Sequence, residues 1–367
     1  MISGGGVIGL SLAYELSGRG LSVQVLDQAE VGRGASWAGA GILPPCPTLG
    51  AVDPLDQLRS LSHRLQAQWA IDLKSLTGID TGYKRCGGLY IARSAAESAT
   101  LSAQRSLWDE HGIQAELWTR EDTLTHEPKL SALLGEKNLK AIWFLPDECQ
   151  IRNPRHLQAL AAACRMRGVD LQEHVSVESL EPTSEDGVVA HARGREYRAK
   201  QACICSGAWS RLLLEHMDIP NGIMPIRGQM VLYKTPSTLL RHVVNEGHRY
   251  LVARDDGRLL AGSCEEEVGF DIATTDSMIR QLRTWAESIL PELQSATIEK
   301  TWAGLRPGTF DGLPYIGPLP NWKQVYVASG HYRAGLHLSC ATAVVMADLL
   351  QQKQPTIDLT AFRIARG

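Results

Sequence analysis

The chain has little of several things, and each shortage excludes a class. It has no run of 18 apolar residues, so no membrane-spanning helix is expected. The opening Met1-Ile2-Ser3-Gly4 has neither a basic stretch nor an apolar one, so no signal peptide is expected. No sign of charge dominates: the formal net charge is −3, with acids and bases interspersed, and no basic stripe suggests a nucleic acid or a membrane surface as partner. Internal repeats, low-complexity tracts and long linkers are lacking. The eight cysteines form no framework, which fits reduced, buried thiols in the cytoplasm better than disulfides. Cys203 and Cys205 form the one close pair, in the apolar run Ala202-Cys203-Ile204-Cys205 that reads as a buried strand. No second pair at ligand spacing accompanies it, so no metal site is expected.

What is present is glycine, 34 residues of it, in a chain of 367 residues with room for two domains. Apolar strand-like runs alternate with amphipathic helical ones, an α/β pattern. A helix is predicted from Asn153-Pro154 to near Gly168, with Leu157, Leu160, Ala161 and Cys164 on one stripe. Short strands crowd Leu180 to Ala202. A further group lies between Gly228 and Gly262, where Asp255-Asp256-Gly257 marks a hairpin turn. These features predict a Rossmann-like domain into which a mostly antiparallel second domain is inserted.

Gly4-Gly5-Gly6-Val7-Ile8-Gly9 is a G-x-G-x-x-G pattern, and its context strengthens it. A helix follows, with Ile8, Leu12, Ala13 and Leu16 at helical spacing and Gly18 and Gly20 at its end. A strand over Leu21–Leu26 then closes on Asp27. Gly4 allows the tight turn, Gly6 lets backbone approach a pyrophosphate, and Gly9 packs the helix on the sheet. Free N–H groups at the helix start face the phosphates, and Asp27 holds ribose hydroxyls. The strand before Gly4 is very short: either it is truncated or the start lies upstream. Asp27 does not separate FAD from NAD. The small-residue run Gly34–Leu43 favours FAD, because its backbone can approach a flat, bulky ring closely.

Over nearly its whole length, from Gly4 to about Arg363, the chain resembles the D-amino-acid oxidase family of flavoproteins, and within it the thiamine-pathway glycine oxidases. The segments that carry this are GGGVIG at the start, ASWAGAGIL at 35–43, IRNPR at 151–155, SGAWS at 206–210, IRGQM at 226–230, WAGLRPGTFDGLPYIGP at 302–318 and GHYRAGL at 330–336. The last two are the specific ones.

The resemblance implies non-covalent FAD. Gly4, Gly6, Val7, Ile8, Gly9, Asp27 and Gln28 would hold its diphosphate and ribose. Ser36, Ala38, Gly39, Gly41 and Ile42 would line the flavin. Val177 would present backbone to the adenine, and Gly207 and Trp209 would border the cofactor. Arg306 would bind the substrate carboxylate, Tyr250 would lie over the substrate, and Tyr332, Arg333, Gly335 and Leu336 would sit near the flavin edge. Cys264 replaces a hydroxyl residue common in that hairpin. The implied domains are 1–46, 146–222 and 303–367 for FAD, and 47–145 and 223–302 for substrate.

The residues alone support part of this. Arg306 lies in an apolar, turn-rich setting where an unpaired guanidinium is costly, and a carboxylate gripped in two places would meet that cost. A structural salt bridge is the plain alternative, and it weighs more for Arg333 than for Arg306 without displacing the functional reading. The apolar helix after Gly335 could direct its dipole at negative charge on the reduced ring. His331 reads as a satisfied loop histidine rather than a base, since hydride transfer from Cα needs alignment and a neutral amine, not a protein base.

The expected reaction is oxidation of glycine, sarcosine or a small D-amino acid to a keto acid, ammonia and, with molecular oxygen, hydrogen peroxide. The rival readings are a dehydrogenase that passes electrons to a quinone, a flavin domain that trims a modified tRNA base, and a non-catalytic FAD-binding module. The family resemblance also suggests a homo-oligomer, often a tetramer.

Overall fold

The structure is a computed structural model, and it describes residues 1–47, 50–183 and 187–366. Its first sheet has six strands. Trp322–Ser329, Ala202–Ile204, Ile2–Ser3, Gln24–Leu26 and Asp170–Gln172 run parallel in that order, and Tyr315–Leu319 adds an antiparallel edge. Parallel strands buried on both faces read as continuous apolar runs, which is how Ala202-Cys203-Ile204 reads. The Cys203 and Cys205 thiols lie 3.6 Å apart in this core, without a metal-binding partner set among the described residues.

Ile2–Ser3 is only two residues long, yet it pairs on both sides, with Val25-Leu26 and with Cys203-Ile204. The helix Val7–Gly18 leaves it through the glycine turn. The strand before Asp27 is shorter than its apolar pattern suggests. It covers Gln24–Leu26 alone, because Ser22 is exposed and only the last three residues meet Asp170–Gln172.

The helices Val7–Gly18, Asn153–Met166 and Gly335–Leu350 share one core with Pro54–Thr77, which contributes Leu58, Trp69 and Leu73. Gly335–Leu350 bears on the expectation drawn from apolar run length without overturning it. Tyr332–Leu350 is long and apolar enough to cross a membrane, with mean hydropathy 1.2. Its apolarity follows from its packing: Leu338, Cys340, Ala341, Ala343, Val345 and Met346 are all buried in that shared core.

A second sheet has eight strands in the order Thr297–Gly308, Met224–Lys234, Arg258–Gly262, Arg249–Ala253, Val243–Glu246, Gly88–Ala92, Ala141–Leu145 and Glu116–Leu117. All its pairs are antiparallel except Val243–Glu246 with Gly88–Ala92. The hairpin at Asp255-Asp256-Gly257 joins two of these strands, with Gly257 at φ +78°.

Alternation assigns the two faces. Val231, Tyr233, Val244, Leu251 and Ala261 pack under the helix Asp276–Ile289. Met230, Val243, Val252 and Leu260 face the other way, toward Ala40. Along that second face one register row runs Trp143, Tyr90, Asn245, Tyr250, Gly262, Met230, Trp302. This row looks onto the glycine-rich segment of the first body.

Candidate active site

The glycine turn is built so that only glycine fits. Gly4 has φ +107°, and a Cβ there would lie 2.5 Å from the Cys205 carbonyl oxygen. A Cβ on Gly9 would overlap the Gly4 carbonyl oxygen, so helix and turn touch backbone to backbone. Gly6 stands at the N-cap of the helix and has no side chain with which to cap it. The Val7 N–H donates to Ser36 Oγ (2.9 Å), which draws the Gly34–Leu43 segment against the turn. Asp27 accepts from the Gly5 N–H (2.6 Å) and the Ala29 N–H (2.8 Å), and burial raises its carboxyl above the ordinary range. A positive helix end, a glycine cradle and a carboxylate one strand away form a complementary set for a dinucleotide diphosphate and ribose.

The small-residue segment forms the short helix Ala35–Ala38, then turns at Gly39 and Gly41 into Ile42–Leu43. Gly41 has φ +76°, and its missing Cβ leaves room for the Ile151 carbonyl oxygen and Asn153 Oδ1. Asn153 was legible only as the start of a helix, yet it pins this segment. Its Nδ2 donates to the carbonyls of Ser36 (2.8 Å) and Gly39 (2.9 Å). Arg254 is also buried and does the same for Ala40, donating to its carbonyl (2.6 Å) and to Gln150 Oε1 (2.6 Å). Contacts across such sequence separations leave no local pattern.

A cavity of about 870 Å³ lies between this segment and the register row. It brings together Gly39, Gly41, Ile42, Tyr250, Arg306, Arg333 and Leu336 of the residues singled out from sequence. The others lie outside its wall. Gly4, Gly6, Val7, Ile8, Gly9, Asp27 and Ser36 cluster at the turn, and Gln28 beside them is exposed. Ala38 is buried, with its carbonyl accepting from Trp302 Nε1 (3.0 Å). Val177 packs with Leu26, Leu180 and Ile204. Gly207 and Trp209 form a short 3-10 turn, where the Gly207 carbonyl accepts from Ser329 Oγ and Trp209 meets Phe270. Tyr332 lies just before Gly335 at φ +47°, and its hydroxyl donates to Glu265.

Arg306 has no carboxylate partner among the described residues. It donates to the Cys264 carbonyl (3.0 Å) and to Ser263 Oγ, which leaves the rest of its fork on the cavity wall. Its guanidinium rests on Gly228, where a Cβ would come closer than 3.0 Å to Nη1, Nη2 and Cζ. Arg333, by contrast, makes the salt bridge considered for it, with Glu265 at 2.6 Å. Cys264 turns its thiol away from Arg306. The Sγ accepts from the Gln229 N–H and donates to Glu266, and burial pushes the thiol up to about 11.

His331 is buried, and burial lowers it to about 3, so its ring is neutral. It is outside the cavity wall. Only one ring nitrogen is satisfied, Nε2 with the Thr342 hydroxyl (3.0 Å); Nδ1 has no partner among the described residues, because the ring is sealed under the following helix. The reading of a fully satisfied loop histidine is corrected to that extent.

Comparison with known proteins agrees with this fold. A family model described as "FAD dependent oxidoreductase", the DAO family, matches residues 1–349. Among curated proteins, the chain is 31% identical over 366 residues to the glycine oxidase of Geobacillus kaustophilus, covering 100% of this chain and 96% of that protein. It is 33% identical to the glycine oxidase of Pseudomonas putida, covering 98% of this chain and 96% of that one. Among solved structures, the glycine oxidase of Geobacillus kaustophilus superposes with a TM-score of 0.93, covering 100% of this chain and 98% of that chain at 31% identity.

Proposed function

This chain belongs to the DAO family of FAD-dependent oxidoreductases, and on that premise we propose that it oxidatively deaminates glycine or another small amino acid or amine, such as sarcosine or D-alanine. The overall reaction converts a primary amino acid, water and oxygen into the keto acid, ammonia and hydrogen peroxide; for glycine the acid is glyoxylate, and sarcosine would give glyoxylate with methylamine in place of ammonia. The likeness to glycine oxidases supports supply of the thiazole branch of thiamine synthesis as its setting, in the cytoplasm, where its eight free thiols would stay reduced.

The observation that carries this reading is Arg306: a guanidinium without a carboxylate partner among the described residues, facing the glycine-rich segment across a cavity. A carboxylate substrate would complete its fork with charge-assisted hydrogen bonds. Tyr250 stands beside it, with its hydroxyl on Met230 Sδ (3.4 Å), and would set the distance of the substrate from the opposite wall. Gly39 and Gly41 leave backbone, not side chain, at that wall. FAD, when bound, supplies a two-electron acceptor for the Cα–H bond that these residues align. His331 is sealed away outside the cavity wall, and burial holds His337 of that wall well below the ordinary imidazole range; the neutral amine of the substrate suffices.

The test is anaerobic mixing of the yellow holoprotein with glycine, sarcosine, D-alanine and simple amines, followed at the flavin band. Bleaching by at least one amino acid is expected, and admission of air should then yield one hydrogen peroxide per substrate. Bleaching without peroxide would assign the electrons to another acceptor, such as a quinone. A flavin that no amine bleaches would defeat the proposal.

A further inference from the structure

Behind the far wall of the cavity lies a buried acid that the proposed chemistry does not use. Glu148 is fully buried and sits directly behind two wall residues. Tyr90 donates its hydroxyl to Glu148 Oε2, and Asn245 donates its Nδ2 to Oε1 (3.0 Å). Tyr90 and Asn245 are cross-strand partners, and Asn245 pairs in turn with Tyr250, so all three belong to the register row that faces the cavity.

The fold makes room for this acid. Gly88 lies under the Glu148 carboxyl, and a Cβ there would come within 3.0 Å of it. Gly88 opens its strand and is paired on both sides, with Leu145 and Val243, and a paired glycine that admits another group is a built feature. The other buried acids differ. Glu127 accepts from the Arg241 and His242 N–H groups and the His242 ring, and Glu246 pairs with Arg93 and Trp285; none of these partners lines the cavity, as Tyr90 and Asn245 do.

An ionised carboxylate only accepts hydrogen bonds. Two donors aimed at Glu148 are the arrangement that suits it in that form, although burial raises it to about 7. The amide of Asn245 is thereby oriented: its NH2 is taken by Glu148, and its carbonyl oxygen accepts from no group among the described residues. The cavity wall at this point is therefore an acceptor, backed by a carboxylate once the pH exceeds about 7. Arg306 reaches Ser263 and Cys264, just past the strand two places away in the sheet, and rests on Gly228 one place further, so acceptor and anchor stand about 10 Å or more apart at ordinary strand spacing. Glycine does not span that gap.

We propose that Asn245, oriented by Glu148 and Tyr90, is a specificity-determining residue that accepts a hydrogen bond from an ammonium or hydroxyl group at the distal end of an amino acid held by its carboxylate at Arg306. The favoured substrates are then amino acids with a donor-bearing side chain of three or four atoms. Glu148 is a positioning residue that acts through the amide. This rests on the carboxylate anchor proposed above, so the test separates the two.

The holoenzyme is titrated with two isosteric carboxylates, 5-aminopentanoate and hexanoate, through the perturbation of the flavin spectrum; neither carries an α-amine, so binding is read without turnover. Loss of hexanoate binding in Arg306→Ala tests the anchor alone. The proposal is read from the ratio of the two affinities. The wild type should prefer 5-aminopentanoate tenfold or more. Asn245→Leu should bring the ratio to about one, with Asn245→Ala as a second variant should the leucine not be accommodated. Glu148→Gln should also collapse it, because the new amide can donate to Asn245 and turn its carbonyl inward. A merely structural role for Glu148 would weaken both ligands and leave the ratio. A wild-type ratio near one, or a ratio unchanged in the variants while Arg306→Ala still abolishes hexanoate binding, overturns the proposal and spares the anchor. Flavin reduction by ornithine against its isostere norleucine, each enantiomer in turn, should show the same preference.

Discussion

Gly228→Ala is a small change with a directed effect. Gly228 lies in the strand Met224–Lys234, paired with Gly304, and the Arg306 guanidinium rests on it. A methyl group there would come closer than 3.0 Å to three guanidinium atoms, whereas ordinary contact begins near 3.4 Å. The flexible end of Arg306 can yield, so the fold should tolerate the change. Alanine in a strand is even favoured over glycine by about 0.5–1 kcal/mol. The fork, however, must withdraw by about 1 Å, and a misplacement of that size costs about 10²-fold in rate. It would also loosen the bonds to Ser263 and the Cys264 carbonyl that aim it.

The assay is anaerobic flavin reduction against amino-acid concentration, with melting temperature measured in parallel. We expect kcat/KM for reduction to fall about 10²-fold with the melting temperature nearly unchanged. In an Arg306→Ala background the same alanine should have no further effect, because the two residues act as one unit. Simple amines without a carboxylate should be affected little. Wild-type reduction of Gly228→Ala by glycine or its preferred amino acid would refute the carboxylate anchor as drawn.

Three further outcomes are expected. Asp27→Ala should weaken FAD binding by about 1.5–3 kcal/mol, from lost charge-assisted bonds to ribose, read by titrating the apoprotein; substrate preference at saturating FAD should not change, and an unaltered flavin affinity would count against the assignment. The flavin should pass into the supernatant on acid precipitation, since the Cys264 thiol is raised to about 11 and turned toward Glu266; flavin held in the pellet would mean a covalent link. Glu148→Gln should flatten the dependence of stability on pH. Burial raises Glu148 from 4.5 to about 7, so the folded state favours the neutral acid. Its contribution is present in full below the unfolded value and is lost as pH rises to about 7, by about 3 kcal/mol. The variant should therefore gain on the wild type between pH 4.5 and pH 8, and an equal difference in melting temperature at the two ends would exclude this burial cost.

Much of the first body could be read from the chain because its signals are local. The glycine turn, the helix after it, the acid at the strand end and the helix from Asn153 each declare themselves within a few residues. The hairpin at Asp255-Asp256-Gly257 does so too. The length of the strand before Asp27 was misjudged because apolar alternation continues where pairing stops. Tyr332–Leu350 escaped as a span-like helix because His337 and the interspersed serine and threonine break its apolar run, although the helix is buried deep enough to tolerate them. Asn153, Arg254 and Glu148 could not be found from pattern, since their partners lie more than 50 residues away in sequence.

Gly228 and Gly88 show what signal such contacts do leave. Each is a glycine in a strand of the second sheet, Gly228 inside its strand and Gly88 at the start of its own, where a side chain would ordinarily be favoured. Each lies on the face turned to the cavity, and each supports a charged group from another part of the chain, Arg306 on one and Glu148 on the other. Read alone, each weakens a strand prediction. Taken with the cavity between them, they mark the two places where the sheet admits charge: a cation placed to accept a carboxylate, and an anion hidden one layer behind an amide. A charge that must be desolvated is costly without partners, so a strand that gives up a side chain to admit one marks a site. On that reasoning the two glycines should be as intolerant of alanine as the charged residues they support, and for the same substrates: Gly228→Ala should mimic the loss of Arg306, and Gly88→Ala the loss of Glu148.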